Sequence, residues 1–159
     1  MNIIKLDDKK THDGFGCDFL FYKHNGVGVK VASAEQGAVT KTRRARRVQV
    51  LLARYDLAPK VSRRLYMVVR GKQRMIGFVT EVVDTAVSSA KLPKKVDMLF
   101  GDTHAGNVRE KDGKFVIIDT GYHLLGDETG GNWETAFKRL KARLASYYNR
   151  RVSPYLENY

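Results

Sequence analysis

Apolar residues in the first half of the chain come in short runs separated by turn residues, which predicts strands. Residues 2–6 alternate loosely, and the apolar runs 19–22 and 27–31 flank Asn25-Gly26, a dipeptide typical of two-residue hairpins. A second pair of runs, 65–69 and 75–83, surrounds Gly71 and predicts another hairpin. Between the first two strands, residues 11–17 form a Gly-containing turn.

A helix is predicted between these two groups of strands. Ser33 is a candidate N-cap for a helix that begins near Ala34, and Pro59 marks its end. Arginines occupy much of the remaining helix surface. The apolar stripe of this helix, at helical spacing, comprises Val48, Leu51, Leu52 and Tyr55.

A last helix is predicted to follow Asn132, which can cap it. Apolar residues then recur at steps of three and four residues from Trp133 to Tyr148, and we interpret this stripe as core. Residues 85–92 allow one short helix, and the tail 153–159 is expected to be loosely ordered.

The stretch from Leu99 to Tyr122 combines a hairpin signal with oxygen-bearing side chains. Asp112-Gly113 between two apolar runs predicts a tight turn that brings the residues before and after it to one end of a small sheet. Two carboxylates and a carboxamide would meet there, and such hard oxygen donors suit Mg²⁺ and the orientation of a nucleophile. A purely structural hairpin with an Asx turn is the alternative. The three side chains are Asp102, Asn107 and Asp119.

The order Gly-Asp-x-His-x-x-Asn, hairpin, Ile-Asp-x-Gly resembles the catalytic and metal-binding loops of the protein-kinase-like superfamily. With His104 two residues after Asp102, the first motif is similar to that of aminoglycoside and choline phosphotransferases and of atypical kinases. The resemblance implies that Asp102 orients the attacking hydroxyl and accepts its proton. It also implies that Asn107 and Asp119 hold Mg²⁺ on the phosphates of ATP.

Earlier residues follow the order that such a domain requires. Gly14 and Gly16 match the first two glycines of a phosphate-covering Gly-x-Gly-x-x-Gly loop, whereas Phe19 takes the third position. Lys30, on a strand after the next hairpin, corresponds to the lysine that contacts the nucleotide phosphates. A solvent-facing strand lysine is the structural alternative.

The segment 78–84 resembles the strand and hinge that bind adenine, with Glu81 and Val83 as candidate contacts; an ordinary last strand is the alternative. The long helix of a kinase normally carries a glutamate that pairs with the strand lysine. Here Glu35 lies near the predicted helix start, and Gln49 is nearer the expected place. Either Glu35 takes the role or the pair is absent.

The resemblance implies an α+β, protein-kinase-like fold in one domain spanning residues 1–159. Its N-lobe, about 1–83, would hold a small antiparallel β-sheet and one long helix, followed by a hinge at about 80–86. The C-lobe, about 87–159, would be much reduced, because the eighteen residues from Asp84 to Asp102 leave no room for two helices. No Ala-Pro-Glu motif is present, so control by activation-loop phosphorylation is not expected.

The net charge of +12 is concentrated in one region. A basic face favours a nucleic acid, an acidic protein surface or a phosphorylated substrate as partner, although a solvated helix face would look the same. Residues 41–74 contain one acid, Asp56, and twelve basic residues: Lys41, Arg43, Arg44, Arg46, Arg47, Arg54, Lys60, Arg63, Arg64, Arg70, Lys72 and Arg74.

Compartment signals are few. The single cysteine, Cys17, excludes an intrachain disulfide and fits a reducing environment. No stretch approaches the ~20 apolar residues of a membrane span, and the N-terminus has no apolar signal-peptide region. We therefore expect a cytoplasmic protein without membrane contact, which could act inside a host cell.

These features together predict an ATP- and Mg²⁺-dependent phosphotransferase. The reduced C-lobe has little room for a small-molecule subsite, so a minimal atypical serine/threonine protein kinase acting on a protein with an acidic surface is favoured. Three alternatives stay open. They are an aminoglycoside-type phosphotransferase, a pseudokinase, and a nucleic-acid-binding module that uses the basic region 41–74.

Overall fold

The computed structural model describes residues 2–15, 19–32, 36–87, 105–120 and 132–159. The fold of this part is α+β, with a sheet, a separate hairpin and two helices. Several predicted residues lie outside the described part, and so do the proposed N-cap Ser33 and most of the short helix expected at 85–92. The predicted site and motif residues outside it are Gly16, Glu35, Gly101, Asp102, His104 and Gly121.

The main sheet has six strands in the order β1-β5-β6-β4-β3-β2. All neighbouring strands are antiparallel except β1 and β5, which run parallel. The strands are β1 (Asn2–Leu6), β2 (Gly14–Phe15), β3 (Phe19–His24), β4 (Val27–Ala32), β5 (Tyr66–Arg70) and β6 (Gln73–Thr80).

The parallel edge strand corrects the expectation of an antiparallel sheet. Ile4 and Leu6 on β1 are buried and belong to the same apolar cluster as Tyr66 and Val68 of β5. These apolar side chains pack in one cluster with residues of β3, β4 and β6. The strand was predicted from its alternation, but alternation does not tell which strand is its partner or which way it runs.

Two predicted tight turns are confirmed by their backbone geometry. Asn25 and Gly26 both have positive φ, as do Asp112 and Gly113, which is what a two-residue hairpin turn requires. The second turn joins β7 (Val108–Lys111) to β8 (Lys114–Ile117). The first strand of this hairpin is therefore the mixed segment 108–111, and the apolar run 98–100 lies outside the described residues.

Helix α1 spans Ala38–Ala53, so it begins four residues later than predicted. Gly37, with φ of 84°, takes the N-cap position, and no side chain of the described residues caps the helix there. The predicted stripe is confirmed, because Val48, Leu51 and Leu52 on the helix and Tyr55 just beyond it are buried. They pack in a cluster with residues of the hairpin and of the last helix.

Helix α2 spans Trp133–Tyr147 and begins as predicted. The Asn132 side chain accepts a hydrogen bond of 3.3 Å from the backbone N–H of Thr135, which satisfies one free donor of the first turn. Trp133, Leu140 and Leu144 are buried against α1 and the hairpin. Tyr147, which was assigned to the core stripe, is 41 % exposed at the end of the helix.

The C-terminal tail is ordered by contacts with the sheet, which corrects the expectation of a loose segment. Val61 donates its N–H to the Pro154 carbonyl and accepts from the Leu156 N–H at 3.1 Å, and Arg63 donates to the Tyr159 carbonyl at 3.0 Å. The Tyr159 ring also packs edge-on against Tyr66. Contacts with residues about 95 positions away therefore order the tail.

Within the described ranges, neither helix has the length and apolarity that crossing a membrane requires.

Candidate active site

A cavity of about 280 Å³ lies between the sheet, the segment after β6 and the β7–β8 hairpin. Every predicted site residue that the structure describes lines this cavity. They come from five separate segments of the chain, so their meeting is a property of the fold. The six residues are Gly14, Lys30, Glu81, Val83, Asn107 and Asp119. The other two predicted site residues, Gly16 and Asp102, lie outside the described part.

Lys30 lies on β4, on the cavity side of the sheet. Its ammonium donates a hydrogen bond to the carbonyl oxygen of Ile118 and lies 6.0 Å from the ring centre of Phe78. Burial lowers the pKa of Lys30 to about 8, and the nearby Asp119 carboxylate opposes that shift. Lys30 is thus a cation held directly beside the Asp119 segment.

The hairpin brings Asn107 and Asp119 to the same end of its two strands, as the turn position predicted. Asn107 closes a 3₁₀ turn (Ala105–Asn107) just before β7, and Asp119 follows β8 by two residues. The Ile118 N–H donates to the Asn107 carbonyl at 2.9 Å, which joins the two segments. Asn107 is 8 % exposed.

Thr120, in the Asp119-Thr120-Gly121 motif, anchors this segment to helix α1. Its hydroxyl donates a hydrogen bond of 3.0 Å to the Ala45 carbonyl, and the side chain is buried. The neighbouring Asp119 is therefore positioned by the hairpin on one side and by the helix on the other.

The two candidate hinge residues differ in whether their main-chain groups are already engaged in hydrogen bonds. The Glu81 N–H donates to the Lys60 carbonyl at 2.8 Å, and its carboxylate accepts from Lys111 Nζ at 2.8 Å. Glu81 therefore links the segment before β5 to the β7–β8 hairpin. In the described part of the chain, no hydrogen bond engages the main chain of Val83.

The segment that follows Val83 is extended, not helical. The Thr85 carbonyl accepts from the Glu110 N–H at 2.9 Å, and Ala86 forms a bridge with Arg109. The first residues of the predicted short helix 85–92 therefore pair with the hairpin strand β7.

Helix α1 supplies no carboxylate for Lys30, because Ala38–Ala53 contains no acidic residue. Gln49, at the place where a glutamate was sought, is buried and turned to other partners. Its amide donates to the Pro59 carbonyl at 3.0 Å and to Thr80 Oγ1 at 2.7 Å. Gln49 is a structural link between α1 and the end of β6.

Phe21 is a cavity residue that sequence reasoning missed. It pairs with Lys30 across β3 and β4, which places both side chains on the same face of the sheet. Its ring lies across Gly28, since a Cβ added at Gly28 would lie 2.5 Å from Phe21 Cζ. The register fixed by the Asn25-Gly26 turn was the signal that could have identified Phe21.

Four charged residues missed by the sequence reasoning also line the cavity, and one of them is Asp13, whose carboxylate accepts a hydrogen bond of 2.6 Å from the Lys23 N–H. Lys23 and Asp84 form an ion pair of 3.0 Å between β3 and the segment after β6. Arg109 donates to the carbonyls of Val108 and Gly106, at 2.9 and 3.2 Å, beside the 3₁₀ turn. The cavity thus has cations on its sheet wall and on its hairpin wall.

The donor set fits Mg²⁺ bound together with phosphates. Among the described residues, no cluster of three or more His, Cys, Asp or Glu side chains could hold a metal ion. Mg²⁺ usually keeps several waters and takes only one or two carboxylates plus phosphate oxygens. One carboxylate from Asp119 and one amide oxygen from Asn107 match that requirement.

No protein-family model matches this chain, and no curated protein matches it by sequence.

Proposed function

We propose that the protein is an ATP- and Mg²⁺-dependent phosphotransferase with a protein-kinase-like fold. One observation carries the proposal. Gly14, Lys30, Asn107 and Asp119, which a kinase-like site requires in this order along the chain, line the same cavity. An accidental resemblance of short motifs would give no reason for these distant residues to meet.

The order of elements supports the same proposal. Strand β2, which carries Gly14, precedes the β3–β4 hairpin, strand β4 carries the lysine, and a long helix and two further strands follow. In this reading the N-lobe is about 1–83, the hinge about 80–86 and the reduced C-lobe about 87–159. Val83, whose main chain is not otherwise engaged in the described part, is the hinge residue we assign to adenine.

The chemistry of the site follows from charge and position. Bound Mg²⁺ would neutralise phosphate charge, with Asn107 and Asp119 as its protein ligands. Lys30, with a pKa of about 8, is mostly protonated at neutral pH and attracts the same phosphates. Asp102 is assigned by its motif to orient the substrate hydroxyl and to accept its proton.

We favour a protein serine or threonine as the phosphate acceptor and the cytoplasm, including that of a host cell, as the setting. In the described residues after 120, the one helix, α2, packs its apolar side into the core and forms no wall of the cavity. A protein substrate brings its own binding surface, whereas an aminoglycoside-sized substrate needs a dedicated subsite.

A pseudokinase is the second candidate, and two observations favour it. Helix α1 carries no acidic residue, and the Lys30 ammonium is bonded to the Ile118 carbonyl. A lysine engaged in this way could bind nucleotide without supporting transfer.

Transfer and nucleotide binding should be measured separately. The purified protein is incubated with radiolabelled ATP, Mg²⁺ and a host-cell lysate, and binding of a fluorescent ATP analogue is titrated in parallel. The Asp119→Asn variant should label neither itself nor the protein targets in the lysate. Asp112→Asn is the matched control, because it makes the same change at the exposed hairpin turn, where Asn tolerates positive φ.

The outcomes discriminate between the candidates. Labelling that Asp112→Asn preserves and Asp119→Asn removes supports the phosphotransferase. Nucleotide binding without transfer would identify a pseudokinase. Absence of both, in a folded protein, would overturn the proposal.

A further inference from the structure

The structure divides the basic region 41–74 among several elements. Lys41, Arg43, Arg44, Arg46 and Arg47 lie on α1 and Arg54 follows it, whereas Arg70, Lys72 and Arg74 lie at the β5–β6 hairpin. Part of this charge converges with a residue of α2 around a second cavity.

The second cavity has a volume of about 210 Å³ and shares no lining residue with the candidate active site. It lies between α1, α2 and the C-terminal tail. Four of its lining residues are cationic, and none carries a carboxylate. The cationic residues are Arg46, Arg47, Arg54 and Lys141, and the others are Val50, Leu51, Phe137 and Tyr155.

Arg46 is one of the cations that line the cavity. One end of its guanidinium donates to the Arg63 carbonyl, whereas its Nε is buried and has no hydrogen-bond acceptor among the residues that the structure describes. A buried N–H without an acceptor costs free energy, because it has lost water and gained nothing in return. The Arg46 guanidinium adds positive charge to the cavity wall.

The positive charge of the cavity is mostly uncompensated. Arg47 pairs with Glu134 at 2.8 Å and stacks on the rings of Trp133 and Phe137, which fixes its position. Within the described residues, no carboxylate pairs with Arg46, Arg54 or Lys141.

We infer that this second cavity binds a phosphorylated side chain of a partner protein. A phosphoryl group carries nearly two negative charges and several acceptor oxygens, which matches a cluster of Arg and Lys donors. The apolar side chains of Val50, Leu51 and Phe137 would contact the carbon stem of the phosphorylated residue. A cavity of this size suits one phosphoryl group, whereas a nucleic acid needs a track of cations along its backbone.

The inference is independent of the proposed function, because it requires binding and no catalysis. The probe is a fluorescein-labelled decapeptide with one central phosphoserine, compared with the same peptide carrying serine and with a dodecauridylate RNA. Affinity is measured by fluorescence polarisation in 150 mM salt. Binding of the phosphopeptide should exceed that of the serine peptide by at least about tenfold, since charge-assisted hydrogen bonds to phosphate are strong.

A pair of matched double variants locates the site. Arg54→Gln with Lys141→Gln removes two cavity cations whose side chains form no hydrogen bond, ion pair or ring contact in the described part. Arg74→Gln with Lys72→Gln makes the same charge change on the exposed β5–β6 hairpin. Circular dichroism confirms that both variants are folded. The first double variant should weaken phosphopeptide binding at least about tenfold, and the second should leave it nearly unchanged.

Three results would overturn the inference. They are equal binding of the two peptides, equal losses in the two double variants, and RNA binding that is tighter and shows the same loss in the cavity variant. The ATP titration above is read separately, so a failure of the proposed function would not be mistaken for a failure of this one.

Discussion

The hydroxyl of Thr120 donates a hydrogen bond of 3.0 Å to the carbonyl oxygen of Ala45 in helix α1. Thr120 directly follows Asp119, a candidate metal ligand. The bond therefore fixes the segment that carries Asp119 to helix α1. The bond is buried, and buried hydrogen bonds between neutral groups contribute about 1 kcal/mol each to stability.

Replacing Thr120 by valine tests this anchor. The change keeps the shape of the side chain and removes the donor, so the free energy of unfolding should fall by about 1 kcal/mol. Under the proposed function, phosphotransfer should also fall, because Asp119 loses a positional constraint. The measurement is urea unfolding, with Thr40→Val on the exposed side of α1 as the control. Unchanged stability and activity in Thr120→Val would show that the hairpin alone positions Asp119.

Gln49 links α1 to Pro59 and Thr80. Under the proposed function, its replacement by glutamate tests whether a carboxylate at this position of α1 can act as a partner of Lys30. A carboxylate there loses the amide donor that binds the Pro59 carbonyl and places a charge in a fully buried position. We expect Gln49→Glu to lower the free energy of unfolding at pH 8 by about 3 kcal/mol.

The pH dependence of Gln49→Glu separates burial from loss of packing. Burial raises the pKa of the introduced carboxyl in the folded state above its unfolded value. The variant should therefore recover stability as the pH falls towards 5, and lose it as the pH rises through the folded-state pKa. Urea unfolding at both pH values measures this, with exposed Gln73→Glu as the control. A variant as stable as the wild type at pH 8 would instead mean that the carboxylate reaches a cation.

Local sequence patterns were sufficient to predict the two tight hairpin turns. The Asn25-Gly26 and Asp112-Gly113 turns were predictable, because few other dipeptides adopt positive φ at both positions. The hairpin at 112–113 in turn placed Asn107 and Asp119 at one end. These features depend on residues within about a dozen positions of each other, so the sequence contains their signal directly.

Features that depend on distant partners were not predictable. The order of the tail 153–159 comes from contacts with Val61, Arg63 and Tyr66. Glu81 likewise forms its hydrogen bonds with Lys60 and Lys111, and no local sequence pattern connects these residues with it. The late start of α1 depends on Gly37 in a left-handed conformation, whereas the sequence rule favoured Ser33.

The lowered pKa of Lys30 predicts a pH-dependent stability. With a folded-state pKa of about 8 against an ordinary value of 10.5, the unfolded chain binds more protons than the folded chain between these values. Stability from this group therefore rises as the pH increases through 8, because the buried ammonium becomes neutral. Relative to Lys30→Met, the wild type should gain about 2–3 kcal/mol in the free energy of unfolding between pH 7 and pH 10.

The control for Lys30 is Lys72→Met, an exposed residue at the β5–β6 turn. The difference between wild type and Lys72→Met should stay constant over the same pH range in urea unfolding. A constant difference for Lys30→Met as well would show that Lys30 is solvated and keeps its ordinary pKa.

Gly28 and Phe21 are predicted to be energetically coupled across the cavity wall. A Cβ at Gly28 would lie 2.5 Å from Phe21 Cζ, so Gly28→Ala alone should lower the free energy of unfolding by about 2 kcal/mol. In a Phe21→Ala background the ring is absent, and the same change should cost less than about 0.5 kcal/mol. A double-mutant cycle from urea unfolding measures the coupling.

Gly77→Ala provides the control, because its added Cβ would meet the backbone oxygen of Lys30, which Phe21→Ala does not remove. Additive effects of the Gly28 and Phe21 changes would mean that the Phe21 ring does not lie over Gly28, and that this part of the cavity is open.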